Sequence, residues 1–162
     1  MKKRSNYPVI IFALLAALFF RTFIVSVYKI PTNSMEPTFL PGDFIFASKI
    51  AYGLQFPWSE ESWFETSPKK GDLVIFKFKG KPGITFIKRV SAVAGETVTT
   101  ADGAQQVVPP GEIFVENDNH EIKDANQSGL ASIRDVDSQA KFIWFSSSKE
   151  SGIRWKRIFS AP

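Results

Sequence analysis

Ile30-Pro31-Thr32-Asn33-Ser34-Met35-Glu36-Pro37-Thr38 is the stretch around which this chain is organised. Pro31 and Pro37 cannot sit inside a helix, and each biases the residue before it towards extended backbone. Directly upstream lies Pro8 to Tyr28, apolar apart from Arg21 and three hydroxyl-bearing residues. Such a run is about as long as the ~20 residues that cross a bilayer as a helix. Lys2, Lys3 and Arg4 precede it, so the positive-inside rule puts the N-terminus in the cytoplasm. A cleavable signal peptide would begin in the same way, but no small-x-small cleavage site follows the run, and Phe19-Phe20-Arg21-Thr22-Phe23 is bulky. An uncleaved anchor is expected, with Arg21 near the outer boundary reaching the headgroups. The expected organisation is a cytoplasmic N-terminus over residues 1–7, a transmembrane anchor over 8–28 and an extracytoplasmic domain over 29–162. Ser34 would then stand on a stiff, non-helical link just outside the membrane.

Downstream, short apolar runs alternate with Gly and Pro punctuation. Phe39-Leu40-Pro41-Gly42-Asp43-Phe44-Ile45-Phe46 reads as a turn followed by a strand. Leu73 to Lys79 reads as a strand of alternating faces, and Ile84 to Val93 as another, with Lys81-Pro82-Gly83 turning between them. Glu96–Thr100 and Gln105–Val108 flank Ala101-Asp102-Gly103 as a hairpin, Pro109-Pro110-Gly111 breaks the chain before Glu112–Glu116, and Lys141–Ser146 is a last apolar strand. The Ile153 to Phe159 run closes the chain. Tyr52 to Ser67 carries Phe56, Trp58, Trp63 and Phe64 without regular period; it reads either as a loop folded over the core or as a surface resting on lipid, with Glu60, Glu61 and Glu65 opposing deep insertion. The fold class expected is mainly β: coiled or barrel-like antiparallel sheets behind an N-terminal transmembrane helix.

In 162 residues there is room for one modest domain beside such a segment, and 16 Phe supply apolar material for its core. The net charge of +4 is spread along the chain rather than gathered into a patch, and no nucleic-acid-binding signature is present, so no nucleic acid partner is expected. There is no Cys, hence no disulfide framework, thiolate metal site or thiol nucleophile. No cluster of His and carboxylates has ligand spacing, so neither a metal nor another cofactor is expected. His120, the single histidine, reads as a surface loop residue.

A serine nucleophile needs a base. Phe86-Ile87-Lys88-Arg89-Val90 puts a lysine inside a run that otherwise reads as a buried strand, and a desolvated lysine can fill that role. The stretch from Ile30 to Phe39, its continuation Gly42-Asp43 through Lys49-Ile50-Ala51-Tyr52-Gly53, then Gly71-Asp72-Leu73-Val74-Ile75-Phe76, the Phe86–Val90 lysine run and the tail Gly152-Ile153-Arg154-Trp155-Lys156-Arg157-Ile158 together resemble the ordered boxes of bacterial type I signal peptidases. The resemblance implies a signal-peptidase-like β domain and a membrane-bound serine endopeptidase of the cytoplasmic membrane, single-pass. It would cleave secretory preproteins, bound as extended peptides, after small residues. Ser34 would be the nucleophile and Lys88 the base. An ordinary lysine, near 10.4, must be lowered by roughly 3 units to act at neutral pH, and burial beside Phe86, Ile87 and Val90 is the available source. The oxyanion hole would use the Ser34 N–H and the Thr32 hydroxyl, and Met35, Ile30 and Phe86 would line the substrate pocket. Arg89 would face away from Lys88 as a structural residue.

The resemblance weakens at Glu116-Asn117-Asp118-Asn119-His120-Glu121-Ile122-Lys123-Asp124-Ala125-Asn126-Gln127-Ser128-Gly129. Asp118, Asn119, Asp124 and Gly129 match the family's last box, but Asn117 stands at a glycine place, and Ala125 and Asn126 replace a Ser-Arg pair whose serine helps hold the lysine. A divergent, minimal member is implied. Two alternatives stay open: a maturation peptidase specialised for one precursor, such as a pilin-like protein, and a catalytically silent membrane-anchored domain that binds extended peptides.

Overall fold

The structure, a computed structural model, describes residues 7–55, 62–63, 66–77, 85–100, 103–122, 128–148 and 152–162. Helix α1 occupies Tyr7–Phe23, 17 residues of almost wholly apolar sequence. The chain turns at Ile24, and strand β1 (Val25–Lys29) begins at once, paired antiparallel with β2 (Asp43–Ser48), Val25 opposite Ser48 and Lys29 opposite Phe44. The helix thus ends at Phe23, short of the expected span over residues 8–28, whose last residues belong to β1. Val25-Ser26-Val27-Tyr28-Lys29 alternates and carries β-branched residues, a pattern that suits a pleated edge strand better than the end of a helix. Among the described residues no helix is long and apolar enough to cross a membrane.

Strands β3 (Leu54–Gln55) and β4 (Ser62–Trp63) pair with each other within the aromatic segment. Then come β5 (Leu73–Lys77), β6 (Thr85–Val93), β7 (Thr97–Thr99), β8 (Gln105–Val107), β9 (Glu112–Glu116), β10 (Ser128–Ser132), β11 (Val136–Ser148) and β12 (Gly152–Ile153). Among the described residues the main sheet runs β1-β2-β11-β5-β6-β9-β10, with β12 against β11, while β7 and β8 form the expected hairpin. Every pairing in it is antiparallel. The β-rich reading of the chain is therefore right.

Two strands differ from expectation. In β5, Leu73 and Ile75 enter one apolar cluster with Ile30, Met35, Phe39 and Ile45, while Val74 and Phe76 enter a second with Val90, Ile113 and Val115. The strand is covered on both faces rather than alternating between core and solvent, because it lies between β11 and β6 in a sheet with apolar packing on each side. The last apolar strand, expected over Lys141–Ser146, is the 13-residue β11. Its polar first half escapes hydropathy, but it pairs with β5, and register shifts at Ala140/Phe142 and Ile143/Phe145 let its second half follow β2. The Lys81-Pro82-Gly83 turn, residues Phe56, Trp58, Phe64, Ala101 and Asp102, and the Asp124–Gln127 part of the last box lie outside the described residues.

Candidate active site

Between β1 and β2 the chain leaves the sheet for a series of tight turns over residues 32–39. Two side chains fix the loop from below: Met35 and Phe39 are fully buried in the first cluster with Ile30, Ala47 and Ile143. The Phe39 N–H donates to the Met35 carbonyl at 2.8 Å and the Ile30 N–H to that of Asp43 at 2.8 Å, so both ends are closed by backbone bonds. Ser34 sits half-buried on top, with the Thr32 and Ser34 hydroxyls 3.1 Å apart. Thr32 itself is exposed.

Lys88 is in the middle of β6, opposite Val74 of β5, and is only 6% exposed. Its Nζ donates to Asn117 Oδ1 at 2.7 Å. Strand alternation puts Phe86, Lys88 and Val90 on one face and Ile87 and Arg89 on the other. Arg89 makes a forked pair with Asp118, Nε to Oδ1 at 2.7 Å and Nη2 to Oδ2 at 2.8 Å, and Nη1 donates to the Gly71 carbonyl at 2.9 Å. Thr38 Oγ1 donates to Asp118 Oδ2 and accepts from Arg89 Nη2. The Asp118 hydrogen bond, working against burial, holds the Arg89 guanidinium even more firmly protonated than usual.

The segment after β9 links these parts. Asn117 takes the Lys88 amine, Asp118 takes Arg89 and Thr38, and the Asn119 N–H donates to the Ser34 carbonyl at 3.1 Å. Asn119 Nδ2 also donates to the Asn33 carbonyl at 3.0 Å. Three consecutive residues thus hold the lysine, its neighbouring arginine and the serine loop. Of the residues expected to line a pocket, Ile30 and Met35 share the first cluster, whereas Phe86 packs on the second, its ring stacked on Phe76 at 5.8 Å. His120 is exposed.

Residues 4–107 match the family described as signal peptidase, peptidase S26, a span that covers well over half of the chain and contains Thr32, Ser34 and Lys88. The chain belongs to that family. Proteins named signal peptidase I are similar to it: one from Aquifex aeolicus is 44% identical over 85 residues, which is 52% of this chain and 29% of that protein. Another, from Buchnera aphidicola subsp. Baizongia pistaciae, is 38% identical over 95 residues, 58% of this chain and 29% of the relative. A third, from Pseudomonas aeruginosa, is 38% identical over 96 residues, 59% of this chain and 32% of the relative. The chain spans less than a third of the length of these relatives.

Two features of this signal peptidase family member were not assigned from sequence. The first is the grip of Asn117 on Lys88; the residue stood out only as a departure from the resembled pattern. The second is a buried ionic clasp beside the serine loop. Asp43, 0% exposed, accepts from the Leu40 N–H at 2.9 Å, Ser146 Oγ at 2.6 Å, Arg154 Nη2 at 2.9 Å and Arg157 Nη2 at 2.8 Å. Arg157 Nη2 also donates to the Thr38 carbonyl at 2.8 Å, so the C-terminal tail ties down the end of the serine loop. Burial by itself pushes the Asp43 carboxyl up, but the bonds from Arg157, Ser146 and Leu40 outweigh it and hold it below the ordinary carboxylate range. Gly42 makes this approach possible: at φ +88 a Cβ would stand 1.9 Å from the Ser147 carbonyl oxygen.

Proposed function

We propose that the protein is a membrane-anchored serine endopeptidase that removes signal peptides from exported preproteins after small residues, with Ser34 and Lys88 as its catalytic pair. The single observation that carries this reading is the Asn117–Asn119 segment, which grips the buried Lys88 amine and the Ser34 loop within three residues of a signal peptidase family member. A silent binding domain has no need of a buried lysine held by the same short segment that holds the serine loop.

In the proposed reaction Ser34 Oγ attacks the scissile carbonyl while neutral Lys88 accepts its proton. The Ser34 N–H and the Thr32 hydroxyl stabilise the oxyanion, as preorganised donors do in a water-poor site. Lys88 then returns the proton to the leaving amine, and the same amine activates water to release the acyl group. Met35 and Ile30 are proposed to shape the pocket for the small residue before the cut, while Phe86 packs apart from them on the second cluster. The preprotein would lie extended, the form in which a sheet protein recognises backbone.

Helix α1 is proposed to hold the enzyme at the cytoplasmic membrane, with the β domain on the outer side. It is apolar on every side and open to solvent, Phe12 being 73% exposed. A helix of that composition is normally covered, by protein or by lipid. At 1.5 Å per residue its length is about 26 Å, short of the ~30 Å hydrocarbon core, so the reading rests on its apolar surface.

The test is cleavage of a model preprotein with Ala at the first and third positions before the cut, by the detergent-solubilised protein. Wild type should release the mature part, and Ser34→Ala and Lys88→Ala should each lose at least about 10³-fold in kcat. Normal processing by either variant would discard the pair.

A further inference from the structure

We propose that Asn117 is the positioning residue for Lys88, fixing the direction in which its amine presents the lone pair to Ser34. The inference rests on the Ser34–Lys88 reading above and adds to it a residue that lies where the resembled pattern has only a glycine.

Both groups are interior, Asn117 being 4% exposed and Lys88 6%, and the 2.7 Å separation is at the short end of the N–H···O range. A buried amide oxygen that loses the amine forfeits a hydrogen bond in the interior, so the contact favours the geometry observed. In this contact the amine donates, so the Asn117 amide turns its oxygen, not its nitrogen, towards Nζ.

The choice of an amide matters chemically. A carboxylate at this position would favour the ammonium form and oppose the proton loss that a base requires. An amide oxygen accepts an N–H from the charged and from the neutral amine alike, so the contact survives deprotonation. A neutral amine has two N–H groups and one lone pair. With one N–H held by Asn117, rotation about Cε–Nζ is restricted and the lone pair is confined to the remaining directions.

The backbone of the same segment supplies the link to the nucleophile. Two residues on, Asn119 donates its N–H to the Ser34 carbonyl and its side-chain amide to the Asn33 carbonyl. Between them, Asp118 is clamped by the Arg89 fork. Lys88 and the Ser34 loop are therefore both tied to one short piece of chain, and the Asn117 bond is a link between their placements.

The experiment measures kcat and KM of the full chain in detergent micelles on the model preprotein, for wild type, Asn117→Leu, Asn117→Ala and Asn117→Asp, with thermal melting of each. Each variant is assayed at its own pH optimum. Asn117→Leu keeps the volume and removes the acceptor; Asn117→Ala does the same job if the larger side chain does not fold. The expected result is a kcat reduced by roughly 10- to 100-fold with KM within about twofold. Asn117→Asp keeps an oxygen in place but favours the ammonium form, so at a pH optimum moved above that of wild type it should recover most of that loss. Full activity without an acceptor, a loss confined to KM, or an Asp variant as poor as the Leu variant would each overturn the proposal. A Lys88→Ala protein that still cleaves would remove the catalytic pair and this inference together. An inactive Lys88→Ala beside a fully active Asn117→Leu would overturn this inference alone.

Discussion

Ser34 and Thr32 meet through their hydroxyls at 3.1 Å on a loop whose remaining bonds are mostly backbone. Either oxygen can be the donor, so the Thr32 hydroxyl is free to turn from Ser34 towards an oxyanion once substrate arrives. Thr32→Val keeps the branched shape and removes that donor. Because Thr32 is exposed, the fold should tolerate the change, with kcat falling by roughly 10²–10³ if the hydroxyl contributes as oxyanion donors do. Steady-state kinetics with a preprotein substrate checks this, and an unchanged kcat would leave Thr32 with only a local structural role. Ser34 stood out in the sequence through the lysine run at Phe86–Val90 and the resemblance of both stretches to one family. The role of Asn117 was not legible there, because a lone asparagine has no periodicity and its partner Lys88 is 29 residues away.

At the scale of elements, the C-terminal tail is held to β11 by backbone bonds and to the start of β2 by charge. Asp43 at the start of β2 receives both tail arginines, and each arginine also reaches a backbone carbonyl of the 38–41 region. Removing one partner of a buried pair leaves a poorly compensated charge, so Arg157→Ala should cost roughly 2–4 kcal/mol in urea unfolding. The pH dependence follows from the sign of the shift. The Asp43 carboxyl is lowered in the folded state, so its contribution is complete above the unfolded value of about 3.9 and is lost as pH falls through the folded value. Urea midpoints of wild type should therefore drop below about pH 4. Asp43→Asn should start less stable and show a shallower acid slope; parallel curves would mean that other carboxylates govern acid unfolding.

For the molecule as a whole, α1 leads without a linker into the edge strand of the main sheet, so a membrane-bound helix would hold the domain against the bilayer. The same edge of the sheet carries aromatic side chains outward: Phe46 stacks on Phe142 at 4.7 Å, and Phe159 meets Trp144 edge-on at 5.6 Å, with Trp144 and Phe159 exposed. Two charges at the middle of α1, Leu14→Lys with Leu15→Lys, would each oppose insertion by about 2.5–3.5 kcal/mol. After alkaline carbonate washing the double variant should leave the membrane pellet while wild type stays in it. A variant that pellets like wild type would rule out α1 as the attachment.

The sequence by itself determined the β-rich class, the hairpin of β7 and β8, and the identity of Ser34 and Lys88 as the residues to watch. The class and the hairpin rest on local signals, turn residues at short spacing and runs of β-branched and aromatic side chains, whereas Ser34 and Lys88 stood out through family boxes recurring in order along the chain. Pairing with β2 decided where α1 gives way to β1: Val25-Ser26-Val27-Tyr28 has a strand-compatible pattern but continues an apolar run that, read locally, prolongs the helix. Tertiary structure also decided the length of β11, whose polar first half is ordered by β5, and the burial of β5 on both faces. The joining of Lys88 to Asn117, Arg89 to Asp118 and Asp43 to the C-terminal arginines belongs to the same class. Contacts between groups 29 to more than 100 residues apart depend on strand order and register, which no local pattern of residues encodes.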